Sequence, residues 1–368
     1  MNHVILNAVG DVCLHSKSGL SPFENVKDYI TQGDIAFANL ETVLFDKGQH
    51  IQRAVPLSTH PDKLQFAIDA GFNVFNIANN HILDKGESGF RSTIKTIKNH
   101  GAHFIGARNY NHGDSSVIIR MKNINIGFLG YNGIKIPGFN NNKYLNNLNK
   151  KKIIEDIRSL KSRVDVVVVS LHWGIENVFY PSPEQITNAR LFIDEGCDII
   201  IGHHPSVLQG IEEYHKGLII YSLGNFQFID DAHRSIVNWT KISTIISIEI
   251  SKYGYKSYKL KPVIIDDNYA PYTLSEKKEK KIFHFIKLIS NPISKNKVTA
   301  KWWFEQIAKN HLVGNIDSWK IRINNYGLSN IIYMVRWFFY RFQINCIFGL
   351  IRKYFKNSSC ENNIEDLV

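Results

Sequence analysis

Paired cysteines and an amino-terminal export signal are both missing from this 368-residue sequence. Its four cysteines form no CxxC pair, which argues against a disulfide scaffold and against a zinc ribbon. They are Cys13, Cys197, Cys346 and Cys360. The sequence enters an apolar run directly after His3, without the basic start and the longer apolar stretch of a secretory signal. We therefore expect a cytoplasmic protein.

Excess charge is nearly absent from the first three quarters of the chain. Residues 1–275 carry 28 Lys and Arg against 26 Asp and Glu, whereas residues 276–356 carry 16 against 4. The formal net charge of +11 therefore belongs mainly to the carboxyl-terminal part, which is expected to attract anionic partners. A hydrophobic content of 44%, with 12% aromatic residues, supports a buried core and excludes a disordered chain.

A hydrophobic run long enough to cross a bilayer is missing from residues 331–355. Four basic residues interrupt this segment: Arg336, Arg341, Arg352 and Lys353. The uncharged stretch between them has ten residues, and a membrane-spanning helix needs about 20. Two interpretations stay open, a helix packed on the rest of the protein or an interfacial helix on anionic lipid at the inner membrane face. The aromatic residues that favour the second are Trp337, Phe338, Phe339 and Phe342.

Short β-branched runs alternate with helical patterns through the first 265 residues. Strands are predicted at residues 4–9, 73–77, 117–121, 124–129, 164–170, 198–201 and 218–221. Helices are predicted at 88–100, 150–163 and 182–195, and a closing hairpin at 242–264. The alternation predicts a layered α/β domain over residues 1–265. Residues 266–368 form a basic extension with helices predicted at 276–289, 298–309 and 331–355.

Five of the apolar runs end in polar residues. These are Asp11, Asn39 with Glu41, Asn80 with His81, His172 with Glu176, and His203 with His204. The carboxyl ends of parallel strands share one rim of a sheet, where ligands bind. Carboxylates, an amide and imidazoles gathered at such a rim suit Mn²⁺, Fe or Zn²⁺ better than Ca²⁺ or Mg²⁺. The pattern as a whole predicts a metal-dependent hydrolase site.

Each of these residues also has a structural explanation when it is taken alone. Asp11 follows a glycine and suits a turn, while Glu41 suits the cap of a following turn. A single histidine is often held by hydrogen bonds in the core, and Glu176 suits either the surface or the orientation of His172. Only the joint occurrence at five strand ends points to a metal site.

The sequence resembles the CapA family of bacterial capsule synthesis proteins, within the calcineurin-like metallophosphoesterase superfamily. The matching stretches include GDVCL at 10–14, FANLET at 37–42, GFNVFNIANNHILDKGESG at 71–89, SLHWGIE at 170–176, IGHHPSVLQGIE at 201–212 and IIYSLGNFQF at 219–228. The resemblance implies a four-layer αββα sandwich with its site on loops at one rim. It also implies that Asp11 binds a first metal, that Glu41 bridges two metals, and that His81 acts as the proton donor. Asn80, His172 and His204 are the implied ligands of the second metal.

Two positions depart from the family pattern on the side of the first metal. Ser206 stands where an imidazole is expected, and Cys13 stands at the histidine position of the opening Asp-x-His motif. Cys13 as a thiolate, His15 and His203 are the compensating ligands to consider, although most isolated cysteines are small buried hydrophobes. We therefore predict one well-bound divalent metal and a weak, replaced or empty position beside Asp11. Asn225, in the last matching stretch, is a candidate for an anionic substrate oxygen or for a turn.

Two functions from different classes follow from these observations. The first is a phosphoesterase-type hydrolase of capsule, poly-γ-glutamate or other exopolymer synthesis, acting on a phosphorylated substrate or an anionic polymer. The alternative is a non-catalytic capsule-assembly factor that binds an anionic polymer or a partner enzyme. Other capsule-synthesis proteins and an anionic membrane are possible contacts of the basic extension. No specific nucleic-acid partner is expected, since no nucleic-acid-binding motif is present.

Overall fold

The computed structural model describes residues 3–46, 56–108, 116–136, 139–140, 143–229, 239–312 and 340–355. The strands are Val4–Val12 (β1), Ile35–Leu40 (β2), Val43–Leu44 (β3), Ser58–Thr59 (β4), Val74–Asn76 (β5), His103–Ile105 (β6), Val117–Met121 (β7), Ile124–Asn132 (β8), Val166–His172 (β9), Ile199–His203 (β10), Ile211–Tyr214 (β11), Gly217–Ile220 (β12), Asn225–Gln227 (β13), Ile242–Ser251 (β14), Gly254–Ile265 (β15) and Pro271–Thr273 (β16). The helices are Lys27–Thr31 (α1), Leu64–Asp69 (α2), Gly86–Asn99 (α3), Lys150–Lys161 (α4), Pro183–Asp194 (α5), Glu276–Ser294 (α6), residues 300–312 (α7) and Arg341–Phe355 (α8).

Two mixed sheets form the centre of the protein. The first has the order β16-β15-β14-β1-β2-β5-β6, with β13 also paired to β1, and the second has the order β11-β12-β10-β9-β8-β7. The neighbours β1, β2, β5 and β6 run parallel, as do β8, β9, β10 and β12. Because neighbouring parallel strands run the same way, the carboxyl ends of each parallel set lie along one rim of its sheet.

Three apolar cores separate four layers. Alternate residues of β1 and β2 face alternate residues of β9 and β10, and together they form the core between the two sheets. The opposite face of the first sheet is covered by α2 and α3, while α4 and α5 cover the opposite face of the second. Strands covered on both sides need apolar residues at every position, as Val166–Val169 of β9 has. The four-layer αββα sandwich predicted from the sequence is confirmed.

Of the chain beyond residue 265, the described residues 266–294 pack on this sandwich. Strand β16 extends the first sheet, and the apolar face of α6, with Phe285 and Ile289, joins the core between the sheets. The division of the chain at residue 265 stays a prediction about folding units. The helices predicted at 276–289 and 298–309 are present as α6 and α7, and residues 331–339 of the last predicted helix lie outside the described residues.

The last two described helices form a smaller apolar cluster with the loop after β9. Trp303 of α7 packs with Val178 of that loop and with Phe342 and Cys346 of α8. Its indole Nε1 donates a hydrogen bond of 2.8 Å to the carbonyl oxygen of Tyr180. Helix α8 is therefore joined to the sandwich through α7. Among the described helices, none is long and apolar enough to span a membrane.

Candidate metal centre

The predicted residues meet at the rim between the two sheets. In the first sheet Asp11 of β1 lies beside Asn39 of β2, and in the second His172 at the end of β9 lies beside His203 at the end of β10. Both histidines point from their sheet toward the first sheet, since they continue the inward-facing series of β9 and β10. Parallel pairing of the central strands is what brings residues so distant in sequence together.

Three buried side chains are close enough to share one ion. Ligand atoms of Glu41, His172 and His204 all lie within 4.8 Å of one another, the one such carboxylate and imidazole group found in the described part of the chain. His172 Nε2 lies 3.8 Å from Glu41 Oε1, and the rings of His172 and His204 are 4.9 Å apart. The amide oxygen of Asn80 lies 2.7 Å from the same Nε2 atom of His172. This arrangement offers two nitrogen and two oxygen donors to a single position.

Burial sets the protonation states of this group. Removal from water raises the pKa of Glu41 well above its usual value, and the carboxylates of Asp11 and Glu176 raise it further. Burial lowers the pKa of His172 well below its usual value, with the other site histidines adding to the effect, and it lowers that of His204. Neutral imidazoles are the form that binds metals, and crowded carboxylates are stabilised by a cation. The donor set therefore fits a divalent metal ion.

His81 lies at the edge of this group, and a carboxylate on the other side of its ring orients it. Its Nδ1 atom lies 2.7 Å from Oδ2 of the fully buried Asp84, and its Nε2 atom lies 3.8 Å from Glu41 Oε1. Asp84 is itself fixed, because its Oδ2 accepts a 2.8 Å hydrogen bond from the backbone N–H of Leu57. Sequence reasoning singled out His81 but missed Asp84. The sequence feature that could have identified Asp84 is its position three residues after the histidine.

Asn39 connects the two halves of the rim. Its Nδ2 atom donates a 2.7 Å hydrogen bond to Asp11 Oδ1 and lies 3.3 Å from His172 Nδ1. Its Oδ1 atom accepts hydrogen bonds from the amides of Asn76, at 2.9 Å, and Asn79, at 3.4 Å. The side chain thus holds a carboxylate and an imidazole in place. Asn76 and Asn79 were not singled out from the sequence.

On the other side of the rim, Asp11 contacts His203 and the backbone of His204. Oδ1 of Asp11 lies 3.2 Å from His203 Nδ1, and its Oδ2 accepts a 3.3 Å hydrogen bond from the backbone of His204. Neither ring nitrogen of the fully buried His203 makes a hydrogen bond, and the same holds for the amide oxygen of Asn225, whose residue pairs with Asp11 across β1 and β13. His203 Nδ1 therefore has the Asp11 carboxylate beside it, while His203 Nε2 and the Asn225 amide oxygen are buried without a hydrogen bond.

Cys13 and Ser206 occupy the two departing positions. Burial raises the pKa of the Cys13 thiol to about 12, so the protein environment itself favours the neutral thiol. The hydroxyl of Ser206 donates a 3.3 Å hydrogen bond to the carbonyl oxygen of His204. Both His204 and Ser206 have positive φ angles, 96° and 63°, in the turn that follows β10. That sharp turn is what brings His204 back over the rim.

Glycine is required beside Asp11. A Cβ atom on Gly10 would lie 1.8 Å from the carbonyl oxygen of Gly224, the same oxygen that accepts the hydrogen bond of the Asp11 N–H at 3.0 Å. The backbone of β1 and the loop before β13 therefore touch at this point. This close approach fixes Asp11 at the rim.

A four-layer α/β sandwich with a buried carboxylate and imidazole group at its central strand ends defines a class of candidate metalloproteins. The sequence profile of the bacterial capsule synthesis protein family PGA_cap matches residues 5–230, and the chain belongs to this family. The capsule biosynthesis protein CapA of Bacillus anthracis is 32% identical over 257 residues, which cover 67% of this chain and 61% of that protein. The PGA biosynthesis protein CapA of Bacillus subtilis (strain 168) is 30% identical over 300 residues, 77% of each chain.

More distant similarity is found among solved structures. A hypothetical protein from Thermus thermophilus has 13% identity and a TM-score of 0.46, covering 70% of this chain and 98% of that one. A 5'-nucleotidase from Candida albicans has 10% identity and a TM-score of 0.44, covering 87% of this chain and 58% of that one. Likeness of this size carries no argument about activity.

Proposed function

We propose that this protein is a metal-dependent hydrolase of the phosphoesterase type that acts in capsule or poly-γ-glutamate synthesis. The observation that carries the proposal is the buried group of Glu41, His172 and His204 with His81 at its edge. A binding site alone has no need of a partly exposed histidine that is oriented by its own carboxylate. A phosphate ester cleavage does, because the leaving oxygen must receive a proton.

Each residue has a separate task in this proposal. Glu41, His172, His204 and the amide oxygen of Asn80 hold the metal. A divalent metal bound there would polarise the phosphoryl group and lower the pKa of a water molecule, and attack by that water on phosphorus would break the bond to the leaving oxygen. The Nδ1–H of His81 would donate to Asp84, whose carboxylate supports the doubly protonated imidazole, and the second proton, on Nε2, would pass to the leaving oxygen.

The substrate class follows from the relatives and from charge. The two Bacillus relatives are described as capsule and PGA biosynthesis proteins, and the basic carboxyl-terminal part of this chain suits an anionic polymer or its phosphorylated precursor. Other capsule-synthesis proteins are the proposed partners. The chain is proposed to work at the inner face of the cell membrane.

A second candidate is a non-catalytic assembly factor that binds the polymer or a partner enzyme. The observation that favours it is the replacement of two expected ligands beside Asp11 by Ser206 and by the buried thiol of Cys13. A one-metal site retains binding but loses the symmetric clamp of a two-metal hydrolase.

Metal analysis combined with hydrolysis of p-nitrophenyl phosphate and bis-p-nitrophenyl phosphate in added Mn²⁺ separates the two candidates. The hydrolase is expected to hold about one metal per chain, and His81→Ala is expected to keep that metal while kcat falls about 10²- to 10⁴-fold. Metal without turnover in the unsubstituted protein, on these and on phosphorylated polymer precursors, would assign it to the assembly class.

Asp84→Asn tests the orientation of His81. A neutral amide no longer stabilises the doubly protonated imidazole that donates from Nε2, so kcat is expected to fall about tenfold or more, while the metal content and KM stay unchanged. Steady-state kinetics and metal analysis on the same preparation measure this. A substituted protein with unaltered kcat contradicts the proposed role of Asp84.

Ser206→His tests the assignment of the depleted position. The φ of 63° at residue 206 is one that histidine tolerates better than most residues, so the substitution is expected to fold. The restored imidazole should raise the metal content from about one to about two per chain in excess Mn²⁺. Ser206→Ala is the matched control and should leave the content at one; an equal content in both variants would refute the assignment.

A further inference from the structure

Helix α8 has one face that is buried against the protein. Phe342 and Cys346 of this face belong to the cluster around Trp303, and Gly349 approaches α7 so closely that a Cβ atom would lie 2.4 Å from the carbonyl oxygen of Phe304. An ion pair of 3.4 Å between Arg352 and the buried Glu305 holds the end of the helix on the same side. Phe342, an aromatic residue that the sequence suggested for a lipid contact, is thus turned inward.

The opposite face of α8 is apolar and exposed. At 100° per residue, an arc of about 120° on this side carries no charged residue. Its exposed members are Tyr340, at the start of the helix, and Ile344, Ile347, Phe348, Ile351 and Tyr354. Their exposed fractions range from 36% for Ile344 and Ile347 to 54% for Phe348 and 82% for Tyr354. A contiguous exposed apolar stripe of this kind marks an interaction surface.

The charges of α8 identify the occupant. The helix contains Arg341, Arg352 and Lys353 and no acidic residue. The exposed Arg341 lies on one flank of the apolar arc, where Arg352 is already paired with Glu305. A second copy of this helix would place like charges together, whereas an anionic lipid surface would neutralise them. Tyrosines at both ends of the stripe, with aliphatic side chains and a phenylalanine between them, are typical of a helix that lies in the interface of a bilayer. Its 15 residues extend only about 22 Å, which suits lying on a membrane.

We propose that the outer face of α8 binds anionic lipid and holds the protein against a membrane surface. The proposal goes beyond the hydrolase function and does not depend on it, because none of these residues belongs to the metal centre. Since α7 fixes α8 to the loop after β9, binding through this face would hold the whole sandwich at the membrane.

Vesicle flotation with the full chain tests the proposal. The protein is expected to bind phosphatidylcholine vesicles that contain phosphatidylglycerol, and to bind pure phosphatidylcholine at least tenfold more weakly. The double variant Phe348→Glu/Ile351→Glu changes two exposed residues of the stripe and is expected to weaken binding at least tenfold. The matched control is Phe283→Glu/Ile118→Glu, which changes an exposed phenylalanine of α6 and an exposed isoleucine of β7 and should bind like the unsubstituted chain.

Two outcomes would overturn the proposal. If both double variants bind vesicles equally well, the stripe on α8 is not the surface that contacts lipid. A dimer in analytical ultracentrifugation that only Phe348→Glu/Ile351→Glu dissociates, without vesicle binding by the unsubstituted chain, would assign the stripe to a second copy. Arg341→Gln is expected to weaken binding to anionic vesicles about fivefold. This is the contribution that one basic residue makes to binding near a charged membrane surface.

Discussion

His172→Ala is expected to lower the affinity for the divalent metal by more than about 100-fold and to abolish hydrolysis with it. His172 is fully buried and lies at the centre of the donor group, with Glu41, Asn80 and His204 around it. Loss of a residue that merely supports a metal ligand costs about 10- to 100-fold in affinity or activity, so loss of a proposed ligand should cost more. The substitution also deprives Asn80 of its contact at 2.7 Å.

Metal titration by calorimetry and metal analysis after gel filtration measure this effect directly. His284→Ala is the matched control, because His284 is exposed on α6 and lies outside the centre; its metal content should equal that of the unsubstituted protein. Circular dichroism separates metal loss from unfolding. A folded His172→Ala protein that retains its metal would refute the assignment of the centre, whatever its catalytic activity.

Arg190→Met is expected to lower the free energy of unfolding by about 3–5 kcal/mol, since it leaves a buried carboxylate without its partner. Arg190 of α5 donates a 2.6 Å hydrogen bond to Glu212, which is only 4% exposed, and another of 3.0 Å to the carbonyl oxygen of Ile293 at the end of α6. Glu212 also accepts a 2.8 Å hydrogen bond from the hydroxyl of Tyr221. The guanidinium therefore ties α5, β11 and α6 together.

Urea unfolding of the variant and of two controls isolates the cause. Arg91→Met removes an exposed i,i+4 ion pair with Glu87 and should cost less than about 1 kcal/mol. The double variant Arg190→Met/Glu212→Gln removes the orphaned charge and is expected to recover part of the lost stability. If Arg190→Met unfolds at the same urea concentration as Arg91→Met, the buried pair makes no special contribution.

The layered fold was predictable because its signals are local. Uninterrupted apolar runs such as residues 166–169 indicate strands covered on both faces, and the run of Ser182, Pro183 and Gln185 predicts a helix start. The capping box is present, with the Ser182 hydroxyl accepting a hydrogen bond from the N–H of Gln185 at 3.1 Å. Short strands such as β6 and β13 carry too few residues to show a period, and only pairing with longer neighbours establishes them.

The sequence by itself determined that polar residues follow five buried strands. Apolar runs mark the strands, and their alternation with helical patterns indicates that the strands are parallel. Only the tertiary structure decided which of them share an ion position. It grouped Glu41 with His172 and His204, set Asp11 against His203, and made Asn39 the link between the two sheets. Spacing along a chain does not encode the distance between two sheets, so the contact of His81 with Asp84 and that of His203 with Asp11 became visible only in the structure. Only the tertiary structure likewise showed which face of α8 is exposed. An apolar stripe on a helix is buried or exposed according to what packs against it.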